Sequence, residues 1–215
     1  MSLHAVLTGL GLADIPAAVL WDMDGTIIDT EDALSECSRE IVIAHGGTWT
    51  AADGAYVLGA SVADHAARLQ EAVARGPQKT ADGSALLDEV EELLGERAYS
   101  RCQLVTGAAE LLRAFRTAAI PQALVTATSG HLVTLALESL SEKYFDTVVT
   151  GSDPVAAKPD PAPYLEAARR LGVNISECLI FEDSFQGLAA ARASGSHVVD
   201  VVATPLTRLA PLLHV

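Results

Sequence analysis

Asp22 and Asp24 stand two residues apart in Trp21-Asp22-Met23-Asp24-Gly25-Thr26, directly after the apolar run Ala17–Trp21. Residues two apart in an extended chain point the same way, so the two carboxylates converge at the carboxyl end of a strand. Open α/β sheets bind their ligands at that end, and Gly25 permits a sharp turn there. Carboxylates so placed can attack an electrophile, move a proton or hold a cation. Apolar residues immediately before them argue against simple solvent-facing decoration.

Three further features fall at equivalent places. Thr126 ends the run Leu124-Val125-Thr126, and its hydroxyl, with the N–H groups of Ala127 and Thr128, can hold a phosphoryl oxygen where a helix begins. The same hydroxyl reads equally as a helix N-cap, a task open also to Thr128 or Ser129. Lys158 follows the run Thr147–Thr150 and precedes Pro159 and Pro161; taken alone it reads as a solvated loop residue. Glu182-Asp183 closes Leu179-Ile180-Phe181. Two adjacent acids after a buried strand repel each other unless a cation sits between them and the first pair; the alternative is that one of them caps the next helix.

These residues need a frame that delivers them to one edge. Five short Val/Ile/Leu-rich runs do so: Ala17–Trp21, Gln122–Val125, Thr147–Thr150, Cys178–Phe181 and His197–Val202. Continuous apolar runs suit strands buried on both faces of a parallel sheet. Amphipathic stretches at His131–Leu140, Pro161–Leu171 and Phe185–Ala193 lie between the later runs. The alternation predicts a doubly wound, Rossmann-like α/β fold. From Glu31 to Cys102 the pattern changes. Helical spacing at Thr30–His45, Val62–Arg75 and Ser84–Leu94, with a turn at Gly76–Gly83, predicts a helical insertion over 31–102 in a core made of 1–30 and 103–215.

Composition sets the limits. The chain has 215 residues, half of them hydrophobic, with a mean hydropathy of +0.29, so material for a core is ample and disorder is not expected. A net charge of −14 excludes nucleic acid and anionic membrane as expected partners. It also obliges any anionic substrate to find local positive charge, which a bound divalent cation supplies. The insertion holds thirteen acids against six bases, half of that excess. Cys37, Cys102 and Cys178 are widely spaced, with no CxxC, and read as reduced thiols; zinc is not expected. Leu3–Leu20 is apolar but has no basic flank, so neither a signal peptide nor a membrane span is expected, and the cytoplasm is the expected location. His45, His65 and His131 have no partner motif. Trp21 and Trp49 read as packing residues.

VLWDMDGT (Val19–Thr26), LVT (Leu124–Thr126), Lys158-Pro159-Asp160-Pro161 and IFEDSFQGLAAARASG (Ile180–Gly195) together resemble the haloacid dehalogenase superfamily, in its order and across nearly the whole core. The chain is similar to the branch holding beta-phosphoglucomutase and small sugar- or polyol-phosphate phosphatases, which carries a helical cap where the insertion lies. The resemblance implies a Mg²⁺-dependent phosphatase acting on a small phosphorylated metabolite. It makes Asp22 the nucleophile and Asp24 the general acid and base. Thr126 and Lys158 then hold the phosphoryl oxygens, with Gly25, Thr26, Ala127 and Thr128 beside them. Mg²⁺ would be held by Asp22, the backbone carbonyl of Asp24, and Asp183, with Glu182 in or near its shell.

Asp24 separates this chain from dehalogenases proper and from phosphonatases, which lack its equivalent. The segment Leu58–Asp64 resembles the family's specificity loop, but Val62 stands where the mutase carries an arginine, and Leu34 where it carries a histidine. Hydrolysis is therefore expected over phosphomutase activity. A silent sugar-phosphate sensor, the remaining alternative, would have lost the nucleophile or a metal ligand. His65, beside that loop, is a candidate substrate contact. The sequence leaves the leaving group and oligomeric state open, with a monomer the default.

Overall fold

The computed structural model describes residues 3–58, 60–77 and 80–214. Gly59, inside the Leu58–Asp64 segment, and Gln78 and Lys79, inside the Gly76–Gly83 turn, lie outside the described residues. Five strands form one parallel sheet: β1 (Ala18–Trp21), β2 (Gln122–Val125), β3 (Thr147–Val149), β4 (Cys178–Glu182) and β5 (His197–Asp200), in the order β3-β2-β1-β4-β5. Strand β1 is central. Leu20 lies beside Ala123 of β2 and Ile180 of β4, and Trp21 beside Leu124 and Phe181.

Side-chain alternation gives the sheet two buried faces. On one, Ala18, Leu20, Ala123, Val125 and Ile180 meet Tyr164 and Ala167 of α8 (Ala162–Leu171) and Ala190 and Ala191 of α9 (Phe185–Ser194). On the other, Trp21 stacks on Phe181 with centroids 4.1 Å apart, and Phe115 of α6 (Ala108–Thr117) meets both rings edge-on. The Trp21 indole N–H donates to Gln122 Oε1 at 2.9 Å, so this buried aromatic strand end leaves no polar atom stranded. Helices α1 (Leu3–Gly9) and α10 (Leu206–Leu209) complete this unit, which comprises Met1–Asp29, Gln103–Thr126 and Glu142–Val215. The expected doubly wound α/β fold is borne out.

Two strands stop earlier than their apolar runs. After β5, Asp200 Oδ1 accepts from the N–H groups of Val202 and Ala203, and this turn leaves Val202 exposed. After β3, Asp153 Oδ2 takes the Thr150 N–H at 2.8 Å and closes the ladder.

The second unit is all-helical and comprises Thr30–Cys102 and Ala127–Ser141. It holds α2 (Glu31–Ala44), α3 (Ala51–Val57), α4 (Val62–Ala74), α5 (Gly83–Arg97) and α7 (Gly130–Ser139). Including 127–141 goes beyond the expected 31–102. Bonds to that part of the unit account for it: Ser129 Oγ donates to Glu91 Oε2 at 2.8 Å, and Cys102 Sγ lies 3.0 Å from Ser139 Oγ. Gly83 opens α5 because a Cβ there would stand 2.4 Å from the Ala66 carbonyl oxygen of α4. Among the described residues no helix is long and apolar enough to cross a membrane.

Candidate active site

Strand β1 delivers the first carboxylate. The Asp22 N–H still donates to Phe181 O at 3.0 Å, one step past the strand, so its side chain is fixed by the ladder. Its neighbours Trp21 and Met23 are buried, and Asp22 is itself only 7 % exposed. The chain then turns through Gly25, whose φ of +80° lies in the left-handed region. The N–H of Gly25 bonds Ile28 O, and the N–H groups of Ile27 and Ile28 share Met23 O, making the turn after Asp24 compact. Val105 N–H reaches Ile27 O and pins it from the chain's return.

Lys158 is not a solvated loop residue. Its ammonium is buried and has three acceptors: Asp22 Oδ1 at 2.6 Å, Glu182 Oε1 at 2.7 Å and Val125 O at 3.1 Å. Those use all three N–H donors. Glu182 is wholly buried. Besides Lys158, its Oε1 accepts from Tyr164 OH at 3.0 Å, and its Oε2 accepts from the N–H groups of Asp183 and Ser184, each at 2.8 Å, and from Ser184 Oγ at 3.2 Å. The helix after it is capped by Ser184, whose Oγ takes the Gly187 N–H. Neither acid spends its side chain as the N-cap.

Thr126 continues β2, its N–H donating to Val149 O at 3.0 Å, and its hydroxyl points to Asp24 Oδ2 at 3.4 Å. It is not a helix cap either: Ser129 occupies the N-cap position of α7 and sends its hydroxyl to Glu91. Thr26 is buried, and its hydroxyl donates to Asp183 Oδ1 at 2.8 Å, which places it under the acidic cluster as a brace. Ala127 and Thr128 follow Thr126 in the chain and belong with the helical unit. So does His65, buried there with Nε2 2.9 Å from Ser38 Oγ; burial brings its imidazole down to about 4.

Charge at the cluster is unbalanced. Burial raises the Asp22 carboxyl well above the usual range; Lys158 works against this, while Glu182 and Asp183 add to it. Burial also opposes ionisation of Glu182, but the charge and hydrogen bond of Lys158 outweigh it and hold that carboxyl low. Burial opposes the Lys158 charge too, and Asp22, Tyr164 and Glu182 together hold its ammonium firmly protonated. One ammonium thus faces three carboxylates, Asp22, Glu182 and Asp183, with ligand oxygens all within 4.8 Å of one another. A hard divalent cation is the group that so large a carboxylate excess fits, and it would supply the charge that keeps Asp22 ionised.

Haloacid dehalogenase-like hydrolases match this sequence over residues 16–195. The chain belongs to that family. Fructose-1-phosphate phosphatase YqaB of Escherichia coli is 30 % identical over 189 residues, covering 86 % of this chain and 96 % of the relative. The bifunctional riboflavin kinase/FMN phosphatase of Arabidopsis thaliana is 28 % identical over 90 % of this chain, which spans only half of that protein's length. The solved structure of CbbY from Rhodobacter sphaeroides, in complex with xylulose-(1,5)bisphosphate, shares the fold: TM-score 0.74, 24 % identity, 86 % of this chain and 85 % of that one.

Tyr164 and Gly187 escaped the sequence reading. Tyr164 lies on the inner face of an amphipathic helix, where an aromatic residue reads as packing. A Cβ on Gly187 would stand 1.5 Å from Glu182 Oε1, so α9 must pass the carboxylate with no side chain.

Proposed function

We propose that this chain is a Mg²⁺-dependent phosphatase that hydrolyses a small phosphomonoester, a sugar or polyol phosphate, through an aspartyl phosphate on Asp22. The observation that carries this reading is the buried ion pair of Lys158 with Asp22 at 2.6 Å, set within the Asp22–Glu182–Asp183 cluster. The names of the relatives, among them the fructose-1-phosphate phosphatase, support the substrate class. Val62 and Leu34, in place of the mutase's arginine and histidine, support hydrolysis over phosphate exchange.

Asp22, Asp183 and the backbone carbonyl of Asp24 would hold Mg²⁺, which supplies positive charge toward the phosphoryl oxygens and the attacking carboxylate. Asp22 attacks phosphorus with one carboxylate oxygen, and the bond from phosphorus to the leaving oxygen breaks. Asp24 gives that oxygen its proton. Lys158, already against Asp22, and Thr126 donate to the phosphoryl oxygens. Asp24 then takes a proton from water as the water oxygen attacks phosphorus, and the bond to Asp22 breaks. Two displacements replace one hard hydrolysis. The helical unit is the proposed cap, with the choice of leaving group resting on its residues.

A panel of phosphorylated sugars, polyols and nucleotides, assayed for inorganic phosphate with Mg²⁺ and with excess EDTA, tests the reading. Phosphate release from a sugar or polyol phosphate that stops in EDTA is expected. Full turnover in EDTA, or isomerised sugar phosphate as the main product, overturns it.

A further inference from the structure

Glu182 is saturated with donors in a way that a metal ligand is not. Five groups point at its two oxygens: Lys158 Nζ and Tyr164 OH at Oε1, and the Asp183 N–H, Ser184 N–H and Ser184 Oγ at Oε2. A carboxylate offers about four lone-pair directions, so no further one is left for a cation. Tyr164 is fully buried, its ring packed among Leu20, Val125 and Ala167, which leaves its hydroxyl no route to solvent. The Lys158 ammonium also lies 4.9 Å from the centre of that ring. Gly187 closes the other side, since a Cβ there would strike Glu182 Oε1.

We propose that Tyr164 and Glu182 are positioning residues for Lys158, a fixed clamp on its ammonium, and that Glu182 stands outside the cation's ligand shell. This rests on the phosphatase reading above. Lys158 must turn an N–H toward phosphoryl oxygens that arrive with substrate, pass through two displacements and depart as inorganic phosphate. With Val125 O and Glu182 Oε1 held still, it can release Asp22 Oδ1 and return without losing its place. The Tyr164 hydroxyl keeps Oε1 from rotating away while that happens.

The test compares full-length wild type with Tyr164→Phe, which removes one oxygen, and Gly187→Ala, which displaces the same carboxylate from the other side. Asp183→Asn serves as the ligand-loss control. Each is followed by p-nitrophenyl phosphate kinetics at saturating Mg²⁺, by Mg²⁺ titration calorimetry, and by circular dichroism well below the unfolding midpoint. Outer-shell partners of metal ligands cost about 10–100-fold when mutated, and the partner of an active-site ammonium is expected on the same scale. We expect Tyr164→Phe to lose kcat by that factor, with KM and Mg²⁺ affinity close to wild type. Asp183→Asn should lose its Mg²⁺ heat. If Tyr164→Phe does not fold, Gly187→Ala must show the same split between kcat and Mg²⁺ affinity. Unchanged kcat in a folded Tyr164→Phe means packing alone and overturns the proposal. Mg²⁺ affinity falling in step with kcat overturns it too, by returning Glu182 to the ligand shell. A wild type that binds Mg²⁺ but releases no phosphate instead brings down the phosphatase reading, and the clamp with it.

Discussion

Removing the attacking oxygen and removing the proton carrier should leave different marks. Asp22→Asn is expected to show neither turnover nor a phosphoenzyme. Asp24→Asn keeps the nucleophile but cannot give or take a proton, a loss of about 10²–10⁴-fold on sugar phosphates, whose alkoxide leaves poorly. On p-nitrophenyl phosphate the first displacement suffers less, while the second still lacks its base. That variant should give a burst of about one p-nitrophenolate per site and accumulate phosphate on the Asp22 peptide, read by rapid-quench mass spectrometry. Equal losses on both substrates with no phosphopeptide would remove Asp24 from the role. At this scale the two pairs of acids stood out because each ends an apolar run, whereas Lys158, taken alone, read as a loop residue and only the family resemblance set it beside Asp22. Tyr164 was not legible: its ring is a core residue, and only its hydroxyl belongs to the site. Nor could spacing show that Thr26 turns toward Asp183.

Among the elements, the strands were legible nearly to the residue, because burial on both faces leaves uninterrupted apolar runs. Their ends were less so, since Asp200 and Asp153 stop strands with side-chain turns that apolarity does not report. Helix α3 was missed for a related reason. Its seven residues include Gly54 and carry little apolar periodicity, and capping defines it instead. Thr50 and Asp53 bond each other's backbone N–H, and Asp53 also takes a two-pronged ion pair from Arg75 at 2.6 and 2.7 Å. The Arg75 hydrogen bond, with those from Thr50, overrides burial and holds the Asp53 carboxyl far below its usual range. Asp53→Ala removes the capping box and the ion pair, while the part-exposed Arg75 keeps the Thr48 carbonyl. A loss of about 1–2 kcal/mol is expected, visible as a lower urea midpoint. An unchanged midpoint would mean the pair is ornamental.

Over the whole molecule, His65 links stability to pH. Its folded value of about 4 lies below the ordinary 6.5, so the unfolded chain takes the proton first. The stability tied to the neutral ring is complete above about pH 6.5 and is lost as pH falls toward 4. Between pH 7 and pH 5 that amounts to about 2 kcal/mol. Urea unfolding at the two pH values should show it, and His65→Gln should remove that part of the difference. An equal fall in wild type and variant assigns the effect to other groups.

The central place of β1 has a consequence for a chain emerging from the ribosome. Asp22 is made early, but its ammonium partner lies 136 residues further on, and Glu182 comes 24 residues later still. The strand that carries Asp22 has no neighbour until Gln122–Val125 exists, and no second one until Cys178–Glu182 follows. Contacts so distant in sequence form slowly and late. A nascent chain therefore carries scattered, well-hydrated acids, and the proposed cation site assembles only as the sheet closes around its middle strand.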